Sequence, residues 1–139
     1  MNAKTTERLL PQATPESVHF WEGTRNGELR LQRCAACAKF YFPPQGFCPD
    51  CHSDDVSVVR ASGRGRIYGF NISHLPAPGL QAPYVIAVVQ LEEGPRMMSN
   101  IVGCAPTPET VHLDMPVLVT FERQNDEITL PLFKPAEAA

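Results

Sequence analysis

Residues 34–51 decide the fold of this chain, and they are Cys34-Ala-Ala-Cys37-Ala-Lys-Phe-Tyr-Phe-Pro-Pro-Gln-Gly-Phe-Cys48-Pro-Asp-Cys51. The stretch contains two Cys-X-X-Cys pairs with ten residues between them. A two-residue gap lets both thiolates of a pair reach one ion at about 2.3 Å, and four sulfurs close a tetrahedral shell. A closed shell is typical of structural zinc, so the spacing predicts one zinc ion on Cys34, Cys37, Cys48 and Cys51.

Two other uses of these cysteines are weighed against zinc. Iron in a rubredoxin-like site accepts the same four-sulfur geometry. Disulfide bonds fit less well, because residues 1–15 lack the apolar core of a secretory signal and the fifth cysteine, Cys104, would be left over. A reducing cytoplasm suits all five cysteines, so we expect a cytoplasmic protein.

Length and composition limit the classes of protein that fit. The 139 residues suffice for one domain, or for a small module joined to another, and 43% hydrophobic residues can supply a core. The 14 prolines disfavour long helices, and no stretch approaches the ~20 apolar residues that span a bilayer. The formal net charge of −3 argues against a nucleic-acid-binding protein with a strongly basic face.

The segment before the ribbon predicts a loose lead-in followed by a short helix. Residues 14–16, Thr-Pro-Glu, supply an N-cap, a first-turn proline and an acidic residue that favours the helix dipole. Gly23 or Asn26-Gly27 is expected to end the helix. The aromatic pair Phe20-Trp21 has two interpretations, a plug against the chain's own core or an anchor on a partner protein.

The ribbon is predicted over residues 29–55, after an N-terminal part of residues 1–28. Its aromatic run, Phe40-Tyr41-Phe42, is expected to form a hairpin that covers the metal. Stacking of single-stranded nucleic acid on these rings is the alternative.

Residues 56–139 are predicted to form a barrel of five or six short strands, with a C-terminal tail. Val56, Val58 and Val59 are expected to begin its first strand, with a bend at residues 63–65, Gly-Arg-Gly. Strict alternation over residues 67–74 places Tyr68, Phe70 and Ile72 on one face. The nearly continuous apolar run at residues 85–91 predicts a buried central strand. The predicted fold is therefore mainly β: a short helix, a rubredoxin-like zinc ribbon and an OB-fold barrel.

The order of these features resembles the acyl-CoA-associated zinc-ribbon/OB-fold proteins known as Domain of Unknown Function 35. The resemblance covers residues 17–135 and depends on a series of short motifs: Phe20-Trp21, Leu29 through Cys34, Cys37, Phe42-Pro43-Pro44, Cys48-Pro49-Asp50-Cys51, Gly63-Arg64-Gly65, Ile67-Tyr68 and Pro131 through Pro135. One departure is Asp114-Met115, where the family commonly has Gly-Met, and it alters only a turn.

The resemblance implies an accessory subunit of a hetero-oligomer. Members of this family are partners of thiolases, lipid-transfer-type aldolases and hydroxymethylglutaryl-CoA synthases, and some pair with hot-dog hydratases. In such complexes the partner supplies the catalytic groups. The zinc-ribbon/OB subunit is implied to stabilise the assembly and to help shape the channel for an acyl-CoA thioester.

Cations that could bind the phosphates of CoA occur at two places in the sequence. Arg33 and Lys39 are in the ribbon, and Arg64 and Arg66 are at the Gly-Arg-Gly-Arg bend. Arginine suits bidentate contacts with phosphate. The competing interpretation is that Arg33 and Lys39 offset the formal charge of −2 that four thiolates leave on zinc.

No separate catalytic constellation is evident in the sequence. The four histidines, His19, His52, His74 and His112, are scattered, and no glycine-rich phosphate loop is present. Cys104 paired with a histidine would be a nucleophile in principle, but a lone cysteine is usually a small buried hydrophobe. Three functions stay open: a non-catalytic subunit of a thiolase-like complex, a nucleic-acid-binding module, and a stand-alone thioester enzyme that uses Cys104.

Overall fold

Residues 8–136, the part of the chain described in the computed structural model, form one α-helix and eight β-strands. Residues 1–7 of the predicted lead-in and residues 137–139 of the predicted tail lie outside the described residues. The elements are α1 (Val18–Arg25), β1 (Arg30–Cys34), β2 (Phe40–Tyr41), β3 (Val56–Arg60), β4 (Arg64–Ser73), β5 (Tyr84–Leu91), β6 (Arg96–Ile101), β7 (Pro116–Arg123) and β8 (Thr129–Pro135).

The helix begins three residues later than its sequence predicts. Thr14 was expected to be the N-cap, but the N-cap is Ser17. The N–H of Thr14 donates to Ser17 Oγ at 2.8 Å, and the N–H of Ser17 donates back to Thr14 O at 2.9 Å. These bonds close a turn at residues 14–17, ahead of the helix. The predicted end at Asn26-Gly27 is confirmed, because Asn26 is the C-cap and Gly27 has a left-handed φ of 75°.

The ribbon sheet has three antiparallel strands in the order β2-β1-β3. The strand predicted at Val56, Val58 and Val59 forms as β3, but placing it in the barrel was wrong, since β3 pairs with β1 over its whole length. This pairing joins residues far apart in sequence, so local periodicity could not reveal it. A division of the chain that keeps this sheet whole would fall within residues 61–63, not at the predicted position between residues 55 and 56.

The other five strands close a barrel in the order β4-β5-β6-β8-β7. All neighbours are antiparallel except β6 and β8, which meet in parallel at Ile101 and Phe133. The predicted OB-fold barrel is thus confirmed with five strands. Gly63 has a left-handed φ of 82° directly before β4, which agrees with the predicted bend.

Strand β4 departs from the predicted alternation at Tyr68. Its pairing with β5 shifts between Ile67 and Gly69, as a β-bulge does. Ile67 is fully buried, whereas Tyr68 is 56% exposed. The predicted shared face of Tyr68 with Phe70 and Ile72 is therefore wrong for Tyr68, while the other two pack against the core.

Strand β5 alternates although its sequence is almost continuously apolar. Val85, Ala87, Val89 and Leu91 are buried, and the residues between them are half-buried. The predicted central position is confirmed, but the strand is fully buried only on its inner face, because the barrel wall is a single layer with an outer surface. A single hydrophobic core joins the two sheets, with Phe20 from the helix, Leu29 and Leu31 from the ribbon side, and Ile67 and Phe133 from the barrel.

Candidate metal centre and basic surfaces

The four cysteines of the two pairs converge on one point. Their sulfur atoms all lie within 4.8 Å of one another, with 3.5 Å between Cys34 Sγ and Cys51 Sγ and 3.7 Å between Cys37 Sγ and Cys48 Sγ. A tetrahedral ion with metal–sulfur bonds of about 2.3 Å separates its ligands by about 3.8 Å. The spacing is far longer than a disulfide bond of about 2.05 Å, so the arrangement is that of a metal site.

The two knuckles have the same backbone geometry, which explains why both pairs present their sulfurs alike. The N–H of Ala38 donates to Cys34 O at 2.8 Å, and the N–H of His52 donates to Cys48 O at 2.9 Å. Ala38 and His52 each follow the second cysteine of a pair, and both have a left-handed φ, 66° and 65°. Backbone N–H groups of Asp50 and Cys51 point at Cys48 Sγ from 3.4 and 3.5 Å.

The electrostatics of the four thiols favour a bound cation. The N–H of Cys51 is the main reason that the pKa of Cys48 falls to about 7, although burial opposes it. The pKa of Cys51 rises to about 12 even though the N–H of Ser53 favours its thiolate, because Cys34 and burial act in the opposite direction. Four adjacent thiolates repel one another, and a divalent cation removes that conflict. The residues present therefore fit a closed four-thiolate zinc shell.

The predicted cations of the ribbon already have partners within the chain. Lys39 Nζ lies 2.8 Å from Asp50 Oδ2, and this hydrogen bond raises the pKa of Lys39. The guanidinium of Arg33 lies over the ring of Phe40, 5.9 Å from its centre. These contacts agree with a local structural role for both side chains.

The aromatic hairpin between the knuckles does more than flank the metal site. Tyr41 is buried and its hydroxyl donates to Gln45 O at 2.9 Å. Phe42 packs against Phe20 of the helix, with 5.2 Å between the ring centres. The run therefore ties the ribbon to the core, and its rings are not an open row for nucleic-acid stacking.

The two residues of the predicted aromatic pair, Phe20 and Trp21, differ in how deeply they are buried. Phe20 is 3% exposed and belongs to the core, as the plug interpretation requires. Trp21 is half-buried, meets Phe20 edge to face with 4.9 Å between ring centres, and lines two surface grooves. Of the two residues, only Trp21 has surface available for a partner.

Arg64 and Arg66 lie on β4 of the barrel, whereas Arg33 and Lys39 belong to the ribbon. They line a cavity of about 370 Å³ at the start of β4. Arg66 Nη1 donates to Asp114 O at 2.9 Å. Lys134, which in the sequence is only part of the motif Pro131 through Pro135, lines an adjoining cavity of about 460 Å³ together with Arg64. Strand register brings Lys134 to this surface, and no local signal in the sequence could have shown it.

The remaining candidates for chemistry are dispersed. Cys104 is half-buried, and burial raises the pKa of its thiol, which disfavours the nucleophilic thiolate. His52, His74 and His112 are exposed, and none of the hydrogen bonds among residues 8–136 joins a histidine to Cys104. Over the same residues, no helix is both long and apolar enough to cross a membrane.

Two family models match the chain. One, described as "ChsH2, rubredoxin-like zinc ribbon domain", matches residues 21–57. The other, "ChsH2, C-terminal OB-fold domain", matches residues 58–122. Together they span the metal centre, the ribbon sheet and most of the barrel, in the order seen in the structure.

Two curated relatives are subunits of larger assemblies. The chain is 38% identical over 130 residues to a probable enoyl-CoA hydratase alpha subunit of Thermomonospora curvata; the match covers 93% of this chain and 40% of that protein, so the chain spans less than half of that relative's length. It is 31% identical over 75 residues to the benzoylsuccinyl-CoA thiolase subunit BbsA of Thauera aromatica, covering 54% of this chain and 52% of that subunit.

A solved structure has the same architecture. A chain of the Ltp2-ChsH2(DUF35) aldolase superposes with a TM-score of 0.80 at 37% identity, covering 91% of this chain and 98% of that chain. The fold described above is thus shared with a protein of known structure. This chain belongs to the ChsH2-type DUF35 family of zinc-ribbon/OB-fold proteins.

Proposed function

We propose that this chain is a non-catalytic subunit of a hetero-oligomer whose partner is a thiolase-superfamily enzyme acting on acyl-CoA thioesters. The observation that carries the proposal is the 37% identity over 98% of a chain from the Ltp2-ChsH2(DUF35) aldolase. The similarity to the benzoylsuccinyl-CoA thiolase subunit BbsA supports the same class of partner. Condensation or cleavage of acyl-CoA in lipid, steroid or aromatic metabolism is the setting that we propose.

The proposed absence of catalysis follows from the chemistry of the described side chains. Four sulfurs around one ion leave no open position for substrate or water, so a zinc ion on Cys34, Cys37, Cys48 and Cys51 would be structural. When bound, it would lock the two knuckles together and anchor β1. The raised pKa of Cys104 and its lack of a hydrogen-bonded base within residues 8–136 argue against the stand-alone enzyme.

A hydratase partner is the second candidate, and one observation favours it. The match to the probable enoyl-CoA hydratase alpha subunit covers 93% of this chain at 38% identity. The chain spans only 40% of that protein, so the whole relative's hydratase activity supports only the class of reaction proposed here. The two candidates differ in the partner's reaction and agree on the role of this chain.

The nucleic-acid alternative receives less support. The net charge is −3, and the ribbon cations Lys39 and Arg33 are engaged with Asp50 and Phe40. Five thiols in one chain also suit a reducing compartment, so we propose the cytoplasm.

Affinity capture of the tagged chain from its native cytoplasm, with mass spectrometry and metal analysis of the eluate, tests the proposal. We expect a thiolase-like enzyme in fixed ratio and about one zinc per chain. Recovery of a hydratase instead would favour the second candidate, and iron in place of zinc would correct the metal. A zinc-loaded chain that elutes alone, or with nucleic acid, would overturn the proposed function. The purified chain alone should show no thioester chemistry, with Cys104→Ser as the comparison.

A further inference from the structure

One surface of the barrel concentrates cations that have no carboxylate partner among residues 8–136. Ion pairs in this part of the chain use the cations Arg30, Lys39, Arg60 and Arg123. Arg64, Arg66 and Lys134 take part in none of them. In a chain of net charge −3, such a group of free cations on one face is an attractive site for an anion.

Strand register places these three residues together, and we call them the basic surface. Arg64 pairs with Leu118 of β7, and Leu118 pairs with Lys134 of β8. Residues directly opposite one another on neighbouring strands present their side chains to the same face of a sheet. Val117, the next residue, is buried with 1% exposure, so this row faces outward. Arg66 belongs to the same face two residues along β4.

The basic surface borders two adjoining cavities. One, of about 370 Å³, is lined by Arg64 and Arg66, and the other, of about 460 Å³, by Arg64 and Lys134. Small residues border this face: Gly103 lines the second cavity, and Ala136 lines both. Glu92 is the one carboxylate residue lining either cavity. The hydrogen bond from Arg66 to Asp114 O holds one guanidinium in place at the rim.

We infer that the basic surface binds the phosphate groups at the nucleotide end of a CoA thioester, an assignment that rests on the proposed function. Neighbouring strands lie about 4.8 Å apart, so Arg64 and Lys134 are separated by roughly 10 Å of sheet, and Arg64 and Arg66 by about 7 Å along β4. This spread suits a ligand that carries a diphosphate and a separate ribose phosphate better than a single small anion. Guanidinium groups supply bidentate contacts to such oxygens.

The two sets of cations in the sequence differ in their surroundings. Arg33 lies on β1 and contacts Phe40, and Lys39 lies directly before β2 and contacts Asp50. The phosphate site therefore consists of Arg64, Arg66 and Lys134, without Arg33 and Lys39.

Titration of CoA into the full zinc-loaded chain, alone and in the captured complex, tests the inference with three double variants. Arg64→Gln with Lys134→Gln should weaken CoA binding by about tenfold or more and reduce its salt dependence, since two charge-assisted contacts are lost. Arg33→Gln with Lys39→Gln should leave affinity within about twofold. Arg60→Gln with Arg123→Gln is the control, because it removes the same charge from exposed ion pairs elsewhere. The unaltered chain should bind CoA lacking its ribose phosphate more weakly than CoA. The variant Arg64→Gln with Lys134→Gln should bind the two ligands with nearly equal affinity.

Several results would overturn the inference. Equal losses in the basic-surface and control variants would assign the effect to net charge alone. The inference would also fail if Arg64→Gln with Lys134→Gln still captured the partner and left the KM of the complex for acyl-CoA unchanged. That result would leave the proposed function intact. Tighter binding of a single-stranded oligonucleotide than of CoA would replace the assigned ligand. Absence of any acyl-CoA enzyme in the captured complex would count against the proposed function itself.

Discussion

Gly63 and Val119 lie so close together that there is no room for a side chain on Gly63. The N–H of Val119 donates to Gly63 O at 2.8 Å, and a Cβ on Gly63 would lie 2.6 Å from Val119 Cγ1. Gly63 also has a left-handed φ of 82°. This contact fixes where the chain leaves the ribbon sheet and enters the barrel.

Gly63→Ala should therefore destabilise the protein by about 1–3 kcal/mol, because the alanine would have to adopt a left-handed φ and its Cβ would lie too close to Val119. Urea denaturation of the zinc-loaded chain measures the change. Gly46→Ala is the matched control, since a Cβ there meets no atom within 4 Å and the φ of Gly46 is not left-handed. Equal effects of the two substitutions would show that the close approach to Val119 is relaxed in solution.

The strength of the sequence prediction differs between local and long-range features. The spacing of the cysteines is a local property, and it correctly predicted the four-sulfur cluster. The place of β3 depends on pairing with β1, and the bulge at Tyr68 depends on the register of β4 against β5. Neither is encoded in the periodicity of one segment. The basic surface was likewise not predictable from one segment, because Lys134 and Arg64 are brought together by pairing of both strands with β7 at Leu118.

Loss of one cysteine ligand should release the metal. Cys48→Ser should reduce zinc from about one per chain to near zero and unfold the ribbon, because structural zinc contributes on the order of 10 kcal/mol of apparent binding energy. Metal analysis and far-UV circular dichroism measure the two effects. Cys104→Ser is the control: it lies outside the cluster and should keep both zinc and fold. Retention of zinc by Cys48→Ser would refute the four-thiolate site.

Ala38 is strained in a way that glycine would relieve. Its φ of 66° costs an L-residue roughly 1–2 kcal/mol, while glycine adds about 0.5–1 kcal/mol of chain entropy in the unfolded state. Ala38→Gly should thus stabilise the zinc-loaded protein by up to about 1 kcal/mol. Ala35→Gly, an exposed position without a left-handed φ, should be neutral or destabilising. The melting temperatures of both variants decide the matter, and a less stable Ala38→Gly would contradict the argument.

Substitution of Phe20 should mainly lower the stability of the core, and substitution of Trp21 should mainly weaken assembly with the partner. Phe20→Ala should cost about 3–5 kcal/mol of stability, because Phe20 is 3% exposed in the core. Trp21→Ala should cost less stability and lower the yield of captured partner, since Trp21 retains surface for an interface hot spot. Leu113→Ala, an exposed apolar residue elsewhere, is the control for capture. Zinc content should stay the same in all three variants. Undiminished capture by Trp21→Ala would mean that the helix only serves its own core.

His19 should make stability depend on pH below its ordinary pKa of 6.5. Burial first, and then the charge of Arg30, lowers the pKa of His19, while Glu22 opposes the shift. Its Nε2 is buried without a hydrogen-bond partner among residues 8–136. The folded chain therefore keeps His19 neutral at a pH where the unfolded chain protonates it. Stability linked to His19 is complete above 6.5 and is lost as the pH falls toward the lower folded-state pKa.

His19→Phe removes this titration and keeps a ring at the position. Urea denaturation between about pH 7.5 and 5.5 should show a shallower loss of stability for His19→Phe than for the unaltered chain. His74→Gln, at an exposed position, is the control and should follow the unaltered chain. Protonation of the cysteine cluster affects all three proteins alike, so the difference between their slopes isolates His19. Parallel slopes for His19→Phe and the unaltered chain would show that solvent reaches the ring and that its pKa is ordinary.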